Sequence, residues 1–257
     1  MATKSLQGQH ALVTGAGQGI GEAIARQLLA QGARVTVLGR RPEPLQKLVG
    51  AFPGQCQQVL ADVAQEAEVV AAFAQAVAAF GAIQILVNNA GQAQSAPFMK
   101  TDAQLWSQML AVNLTGTMLC MQQVLPAMQA AGYGRIVNVA STAGLTGYAY
   151  VSAYVAAKHG VVGLTRALAL EVASRGITVN AVCPGYTETD LVKTSLDRVV
   201  AKTRRSPEQA LAEFVRNNPQ GRLVQPQEVA DAVVWLCCKG AGAMTGQAIA
   251  VAGGEVM

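Results

Sequence analysis

Ala11-Leu-Val-Thr14-Gly15-Ala-Gly-Gln18-Gly19-Ile20-Gly21-Glu22-Ala-Ile-Ala-Arg-Gln-Leu-Leu-Ala30 carries three structural signals in one run. The first four residues read as a buried strand, the glycines interrupt it, and from Glu22 the apolar residues recur at helical spacing until Gly32 stops them. Strand, glycine loop and helix in that order open a parallel β-α-β unit. The loop reads T-G-x-x-x-G-x-G, with Gly15, Gly19 and Gly21, because Ile20 breaks a G-x-G-x-x-G register. Glycines at such a turn let the backbone approach a pyrophosphate, whose charge the following helix N-terminus favours. Alone, the same glycines also suit a tight loop that needs positive φ, so the rest of the chain must decide.

Working outward, Arg34-Val-Thr-Val-Leu38 is a second strand, and it ends in Gly39-Arg40-Arg41. A dinucleotide site that selects an unphosphorylated ribose carries an acid about 20 residues beyond the glycines; here there is none. Guanidinium groups at that position can grip a 2′-phosphate in bidentate fashion, which points to NADP(H). A strand over residues 56–61 follows, ending in Asp62-Val63, then a helix over 64–80 and a strand over 83–87 that runs into Asn88-Asn89-Ala90-Gly91. Thr101-Asp102 is a helix cap, and a continuous helix is expected over residues 104–131, with Asn113 and Gly116 inside it. A mid-helix Asn read by itself is a solvated side chain or a local backbone partner.

Arg135-Ile-Val-Asn-Val-Ala140 is another buried strand, with Ser141 at its C-terminal end, where open α/β sheets place their ligands. Downstream, Val151-Ser-Ala-Tyr154-Val-Ala-Ala-Lys158-His-Gly160 suits a buried helix in which Tyr154 and Lys158, at i and i+4, share a face. A cation beside a phenol favours the phenolate and makes the hydroxyl a usable acid or base. Taken alone, that spacing is equally an ordinary helix face. Ile177-Thr-Val-Asn-Ala-Val-Cys-Pro184-Gly185 is a strand stopped by Pro-Gly, residues 186–218 read as a lid with short helices, a helix runs from about 226 to 238, and residues 247–254 close the sheet. The expected architecture is therefore a single α/β domain over residues 1–257, a Rossmann-type doubly wound parallel sheet of seven strands with helices on both faces.

Composition limits the function. A chain that is 51% hydrophobic and 13% charged can bury a large core, while a net charge of +4 spread thinly gives no nucleic-acid face. Five cysteines without a C-x-x-C pair are expected to be reduced, and two histidines argue against a metal site. No stretch has the pattern of a signal peptide or a membrane span, so a cytoplasmic protein is expected.

With these motifs placed, the chain resembles the short-chain dehydrogenase/reductase family over essentially its whole length. The resemblance implies a cofactor loop at Gly15, Gln18, Gly19, Ile20 and Gly21; contacts to the adenine from Asp62 and Val63; support beside the adenosine from Asn89, Ala90 and Gly91; and a nicotinamide-side segment at Pro184, Gly185 and Thr187. It implies a catalytic tetrad of Asn113, Ser141, Tyr154 and Lys158. In it Tyr154 is the acid/base, Lys158 lowers its pKa and holds the nicotinamide ribose, Ser141 orients the substrate oxygen, and Asn113 keeps a water relay. One departure is Ala157, where relatives often carry Ser.

The expected pocket walls, residues 92–99, 145–151 and the lid from 186, are mostly apolar with aromatics at Tyr148, Tyr150 and Tyr186, which suits an apolar ketone. The C-terminal third is similar to bacterial members that reduce 3-ketoacyl thioesters, with Arg198, Lys202, Arg204 and Arg205 as a candidate phosphate contact. Free apolar ketones, aryl or steroid-like, are the alternative substrates, and a non-catalytic NADP(H)-sensing protein is the alternative class. A homotetramer is expected from apolar residues on two helices, Met118, Leu119, Met121, Val124 and Leu125 on one and Val162, Leu164 and Leu168 on the other.

Overall fold

A computed structural model describes residues 5–203 and 206–257, without the side chains at 191, 198, 199 and 202. The strands β1 (His10–Thr14), β2 (Arg34–Gly39), β3 (Cys56–Leu60), β4 (Ile85–Asn88), β5 (Gly134–Val139), β6 (Ile177–Pro184) and β7 (Ala248–Val251) form one sheet. They lie in the order β3-β2-β1-β4-β5-β6-β7, and every pairing is parallel. All residues of β1, β4, β5 and β6 are buried, which is why those strands read as unbroken apolar runs rather than as alternation.

The alternation reappears in what each side chain touches. Ala11 and Val13 of β1 face a core built with Ile24 and Leu28 of α1 (Gly19–Ala30) and Val229 and Val233 of α9 (Pro226–Cys237). Leu12, between them, faces the opposite core. There it meets Phe73 of α3 (Glu66–Phe80), Val124 of α5 (Gly116–Ala131) and Val172 of α6 (Ser152–Val172). Each buried Leu or Val adds roughly 1.5–3 kcal/mol relative to exposure, so both layers are held firmly. Between α1 and α3, α2 (Pro42–Ala51) packs Leu45 and Leu48 into the first of these cores. After β3 the chain crosses back over β1 to start β4, so the loops following β1 and β4 diverge and leave a crevice at the C-terminal strand ends.

A line of buried polar side chains ties the second layer to the sheet. Asn88 Nδ2 donates to Asn138 Oδ1 at 2.9 Å, Asn138 Nδ2 donates to Thr165 Oγ1 at 2.9 Å, and Thr165 Oγ1 donates to the Val161 carbonyl at 2.7 Å. Strands β4 and β5 are thereby pinned to α6, the helix that carries Tyr154 and Lys158.

Three expectations change. The helix expected over residues 104–131 is two helices, α4 (Ala103–Leu110) and α5, joined by a π-turn over Ala111–Thr115. Asn113 opens it: its side chain is fully buried and donates to the carbonyls of Met109 and Gln92, both at 2.9 Å, while its Oδ1 accepts from Gln92 N at 3.1 Å. Of the two readings of a mid-helix Asn, the local backbone partner holds, through the Met109 carbonyl, and the side chain is buried rather than solvated. The closing strand is shorter, Ala248–Val251, because Gly253 and Gly254 turn the chain at positive φ. Of the apolar residues offered for a homotetramer, Leu119, Met121, Val124, Val162 and Leu168 are buried within one chain, and Met118, Leu125 and Leu164 pack against the core while staying partly exposed. The apolar surface left for assembly is therefore smaller than expected. The segment 186–218 carries helices, as expected: α7 (Asp190–Thr203) and α8 (Pro207–Val215), the latter closed by a capping box between Ser206 and Gln209.

The polar line predicts that Asn138→Ala destabilises the fold by about 2–4 kcal/mol, since it leaves Asn88 Nδ2 without its acceptor and Thr165 without its donor in a dry core. Equilibrium urea unfolding measures this, and a loss under about 0.5 kcal/mol, the range of ordinary surface changes, would contradict it.

Candidate active site

The crevice begins at the loop after β1. Gly15 and Gly19 adopt positive φ of 64° and 55°, and a Cβ at Gly21 would run into the Gly15 carbonyl oxygen and Asn89 Nδ2. All three glycines are therefore required by geometry. Gln18 precedes α1, whose first turn holds Gly19, Ile20 and Gly21 with their amide groups at its open N-terminus. Thr14 Oγ1 accepts from Asn89 N at 3.0 Å and Ala90 N at 2.9 Å, and Asn89 Nδ2 donates back to the carbonyls of Thr14 and Gly15. The loops after β1 and β4 are thus locked edge to edge.

A cleft of about 120 Å³ lies along this seam, lined by Gly15, Arg40, Asp62, Val63, Ala90 and Gly91, with Leu38, Gly39, Ala61, Gln92 and Val112. Arg40 reaches Asp62 across it at 3.4 Å, an exposed pair of little energetic weight, and Arg41 donates to Gln18. The Arg40 guanidinium therefore lines the cleft and that of Arg41 sits beside Gln18, and Gln92 Nε2 is buried with no partner among the described residues. A cradle where a Cβ cannot fit, a helix N-terminus, flanking guanidinium groups and an orphaned amide donor fit a phosphate-bearing dinucleotide. Among the described residues no group of His, Cys, Asp and Glu could hold a metal, and no helix is long and apolar enough to cross a membrane.

The tetrad expected from the family resemblance assembles beside this cleft. A Cβ at Gly91 would lie 2.9 Å from Asn113 Oδ1 and 3.6 Å from Lys158 Nζ, so both flank the glycine that lines the cleft. Lys158 Nζ donates to the Val139 carbonyl at 2.9 Å and sits 5.7 Å from the Tyr154 ring centroid. Ser141 follows β5 and accepts from Ala143 N at 3.1 Å, and its hydroxyl bears on the Tyr154 phenol, whose pKa it lowers. Pro184 ends β6, Gly185 follows it, and Thr187 Oγ1 donates to the Gly185 carbonyl at 3.0 Å.

Burial sets the electrostatics. It raises the Tyr154 phenol above its usual value, an effect the Ser141 hydrogen bond partly reverses, and it lowers Lys158 to about 8. Cys183, beside Ser141 and Lys158, is pushed up to about 11 by the same desolvation and remains a thiol. The resemblance gives Lys158 the task of lowering the Tyr154 pKa; in this geometry burial dominates, and Ser141 supplies the opposing interaction.

Two of the aromatics expected on the pocket wall meet each other, and their partners had no sequence signal. Tyr148 donates from its hydroxyl to Glu255 Oε1 at 2.6 Å and shares a 2.8 Å hydrogen bond with Thr142 Oγ1. Its ring stands edge-on to Tyr186 at 6.4 Å, which in turn meets Phe214 of α8 at 4.8 Å. A proximity between residues 148 and 255 has no period to betray it. Tyr150 is exposed, at a positive φ of 66°. A larger recess of about 560 Å³ runs along the edge strand β7, lined by Leu145, Thr146, Ala248, Ala250, Val256 and Met257, and no member of the tetrad lines it. Of the basic lid residues, Arg204 and Arg205 and the side chains of Arg198 and Lys202 lie outside the described part.

A family model described as short chain dehydrogenase matches residues 9–199. The granaticin polyketide synthase putative ketoacyl reductase 1 of Streptomyces violaceoruber is 43% identical, over 95% of this chain and 92% of its own length. The cyclohexanol dehydrogenase of an Acinetobacter species is 41% identical, over 95% of this chain and 93% of its own. Among solved structures, a point variant of actinorhodin polyketide ketoreductase crystallised with NADPH superposes with a TM-score of 0.92 at 41% identity, covering 99% of each chain.

The interlocked loops predict that Gly21→Ala displaces either Asn89 or the Gly15 carbonyl and lowers stability by about 1–3 kcal/mol. Calorimetric Tm measurement, with Gly147→Ala as the control because nothing lies within 4 Å of a Cβ there, should show a loss confined to the first variant.

Proposed function

The chain belongs to the short-chain dehydrogenase family, and we propose that it reduces ketones with NADPH and that its substrates are 3-ketoacyl thioesters. The observation that carries the reaction class is the convergence of Asn113, Ser141, Tyr154 and Lys158 beside the cleft at the C-terminal strand ends. The thioester reading is supported by relatives and a structural neighbour named as ketoacyl reductases and polyketide ketoreductase. A second reading, reduction of free cyclic ketones, is favoured by the Tyr148, Tyr186 and Phe214 wall and by the relative named cyclohexanol dehydrogenase.

A nicotinamide dinucleotide bound in the cleft would supply or accept the hydride. Gly15, Gln18, Gly19, Ile20 and Gly21 would hold its pyrophosphate, Asp62 and Val63 its adenine, Asn89, Ala90 and Gly91 the adenosine side, and Pro184, Gly185 and Thr187 the nicotinamide side. Tyr154 gives its proton to the substrate oxygen. Burial keeps that phenol protonated at neutral pH, and the Ser141 hydroxyl beside it orients the substrate oxygen. Lys158, still largely cationic below pH 8, lies close enough to stabilise developing negative charge, and Asn113 beside it anchors the route for reprotonation.

Tyr154→Phe removes the transferable proton, so kcat should fall about 10²–10⁴-fold while the Kd for NADPH moves little. Steady-state rates on acetoacetyl-CoA, ethyl acetoacetate and an aryl ketone test both levels of the reading. Retention of more than a tenth of wild-type kcat would remove Tyr154 as the acid, and a higher kcat/KM on either free ketone would remove the thioester preference.

Cofactor choice rests on Gly39, Arg40 and Arg41. Each charge-assisted bond to a 2′-phosphate contributes roughly 1.5–3 kcal/mol, so NADPH should outperform NADH at least about tenfold in kcat/KM. A Cβ at Gly39 approaches only Leu45 side-chain carbons, at 3.6 Å, and φ there is not positive. Gly39→Asp is thus accommodated, and its carboxylate should invert the preference; equal kcat/KM for the two cofactors in the wild type would defeat the assignment.

A further inference from the structure

One carboxylate beside the C-terminal strand ends, Glu255, takes no part in the chemistry above. After β7 the chain turns through Gly253 and Gly254, both at positive φ, against the end of the lid segment. A Cβ at Gly253 would collide with the Asn218 side chain, and one at Gly254 would lie 3.2 Å from Pro219. Asn218 is itself fixed, donating to the Arg222 carbonyl at 2.8 Å and accepting from Gln220 N at 2.8 Å. The turn therefore has a single course, and it delivers Glu255 back over the C-terminal ends of the strands.

There Glu255 is held on two sides. Its Oε1 accepts the Tyr148 hydroxyl at 2.6 Å, and Tyr148 is also bonded to Thr142, the residue after Ser141. Its Oε2 would be 2.7 Å from a Cβ built on Gly185, the residue that follows β6. The carboxylate thus lies within one side chain of both the strand-end turn carrying Ser141 and the strand end beside Tyr186. Burial first, and then the carboxylate, raise the Tyr148 and Tyr186 phenols. No Lys or Arg among the described residues pairs with Glu255.

We infer that Glu255 is a specificity-determining residue, whose fixed negative charge turns away substrates with an anionic group beside the reacting carbonyl and admits neutral ketoacyl compounds. This rests on the ketone-reductase reading and refines it: a thioester or ester has no charge next to its keto group, and a free 3-keto acid does. Two like charges brought together in a partly desolvated pocket repel by more than they would in water, whereas a neutral ester meets only a hydrogen-bond acceptor.

The test compares acetoacetate with methyl acetoacetate, which share the reacting ketone and differ in charge. With NADPH, Glu255→Gln should raise the ratio of kcat/KM for acetoacetate over methyl acetoacetate about tenfold or more. In the wild type that ratio should rise with added sodium chloride, and in the variant it should not. A parallel loss on both compounds, as a merely structural role would give, or an unchanged ratio overturns the inference, as does a salt-insensitive wild-type ratio. Dissociation constants of the two compounds for the NADPH-loaded protein separate the two levels of reading. If neither compound turns over yet their affinity ratio shifts in Glu255→Gln, the reductase reading falls and the charge filter stands. If both turn over and neither ratio shifts, the filter falls and the reductase reading stands.

Discussion

Four hydrogen bonds between the ends of β1 and β4 hold the rest of the site in register. At a switch point two neighbouring parallel strands send their chains in opposite directions, and backbone groups there lose the partners a continuing ladder would give them. Thr14 and Asn89 make good that loss. The Thr14 hydroxyl takes the amides of Asn89 and Ala90, and the Asn89 side chain takes the carbonyls of Thr14 and Gly15. The exchange fixes the glycine loop above one strand by means of the loop above the other. It also explains why Gly21 has no room for a side chain and why Gly91, two residues past Asn89, stands between the cleft and the Lys158 ammonium.

Burial acts on the chemistry in two directions at once. It raises the acid Tyr154 and lowers the base Lys158, so desolvation favours the neutral form of each. The ammonium is held in the interior by a carbonyl, Val139 O, rather than by an acid. A carboxylate there would favour the ammonium and raise its pKa, whereas the carbonyl leaves burial to lower it. Among the described residues, Lys158 has no acidic partner and Glu255 no basic one.

The parts of the fold that follow a period were legible in the sequence. Continuous apolar runs such as Ile136-Val137 identify strands buried on both faces, and the glycine loop and its helix are written in adjacent residues. Tyr154 and Lys158 were legible because four residues of helix bring them onto one face. What escaped was set by tertiary partners. The π-turn at Asn113 depends on Gln92, Tyr148 depends on Glu255, and neither pair has a sequence spacing that predicts contact. The apolar helices also misled: composition counts Met121 and Val124 as surplus, whereas the structure places them inside its own core. For the tetrad as a set, resemblance to a family did what residue spacing alone did not.

The π-turn over Ala111–Thr115 has a bearing on how this chain tolerates change in length. A π-turn holds one residue more than the α-helical turn it replaces, so the long helical arm behaves as an α-helix with a single inserted residue. Removing any one residue from that turn would let α4 and α5 merge into an unbroken rod, a locally more regular structure. Because the extra residue is absorbed within one turn, α4 and α5 would keep nearly the faces they present now, with Leu105 and Met109 still against Ala153. What would go is the widened turn itself, in which the Asn113 side chain meets both Gln92 and the Met109 carbonyl. Local regularity is given up here so that one buried amide can serve two partners.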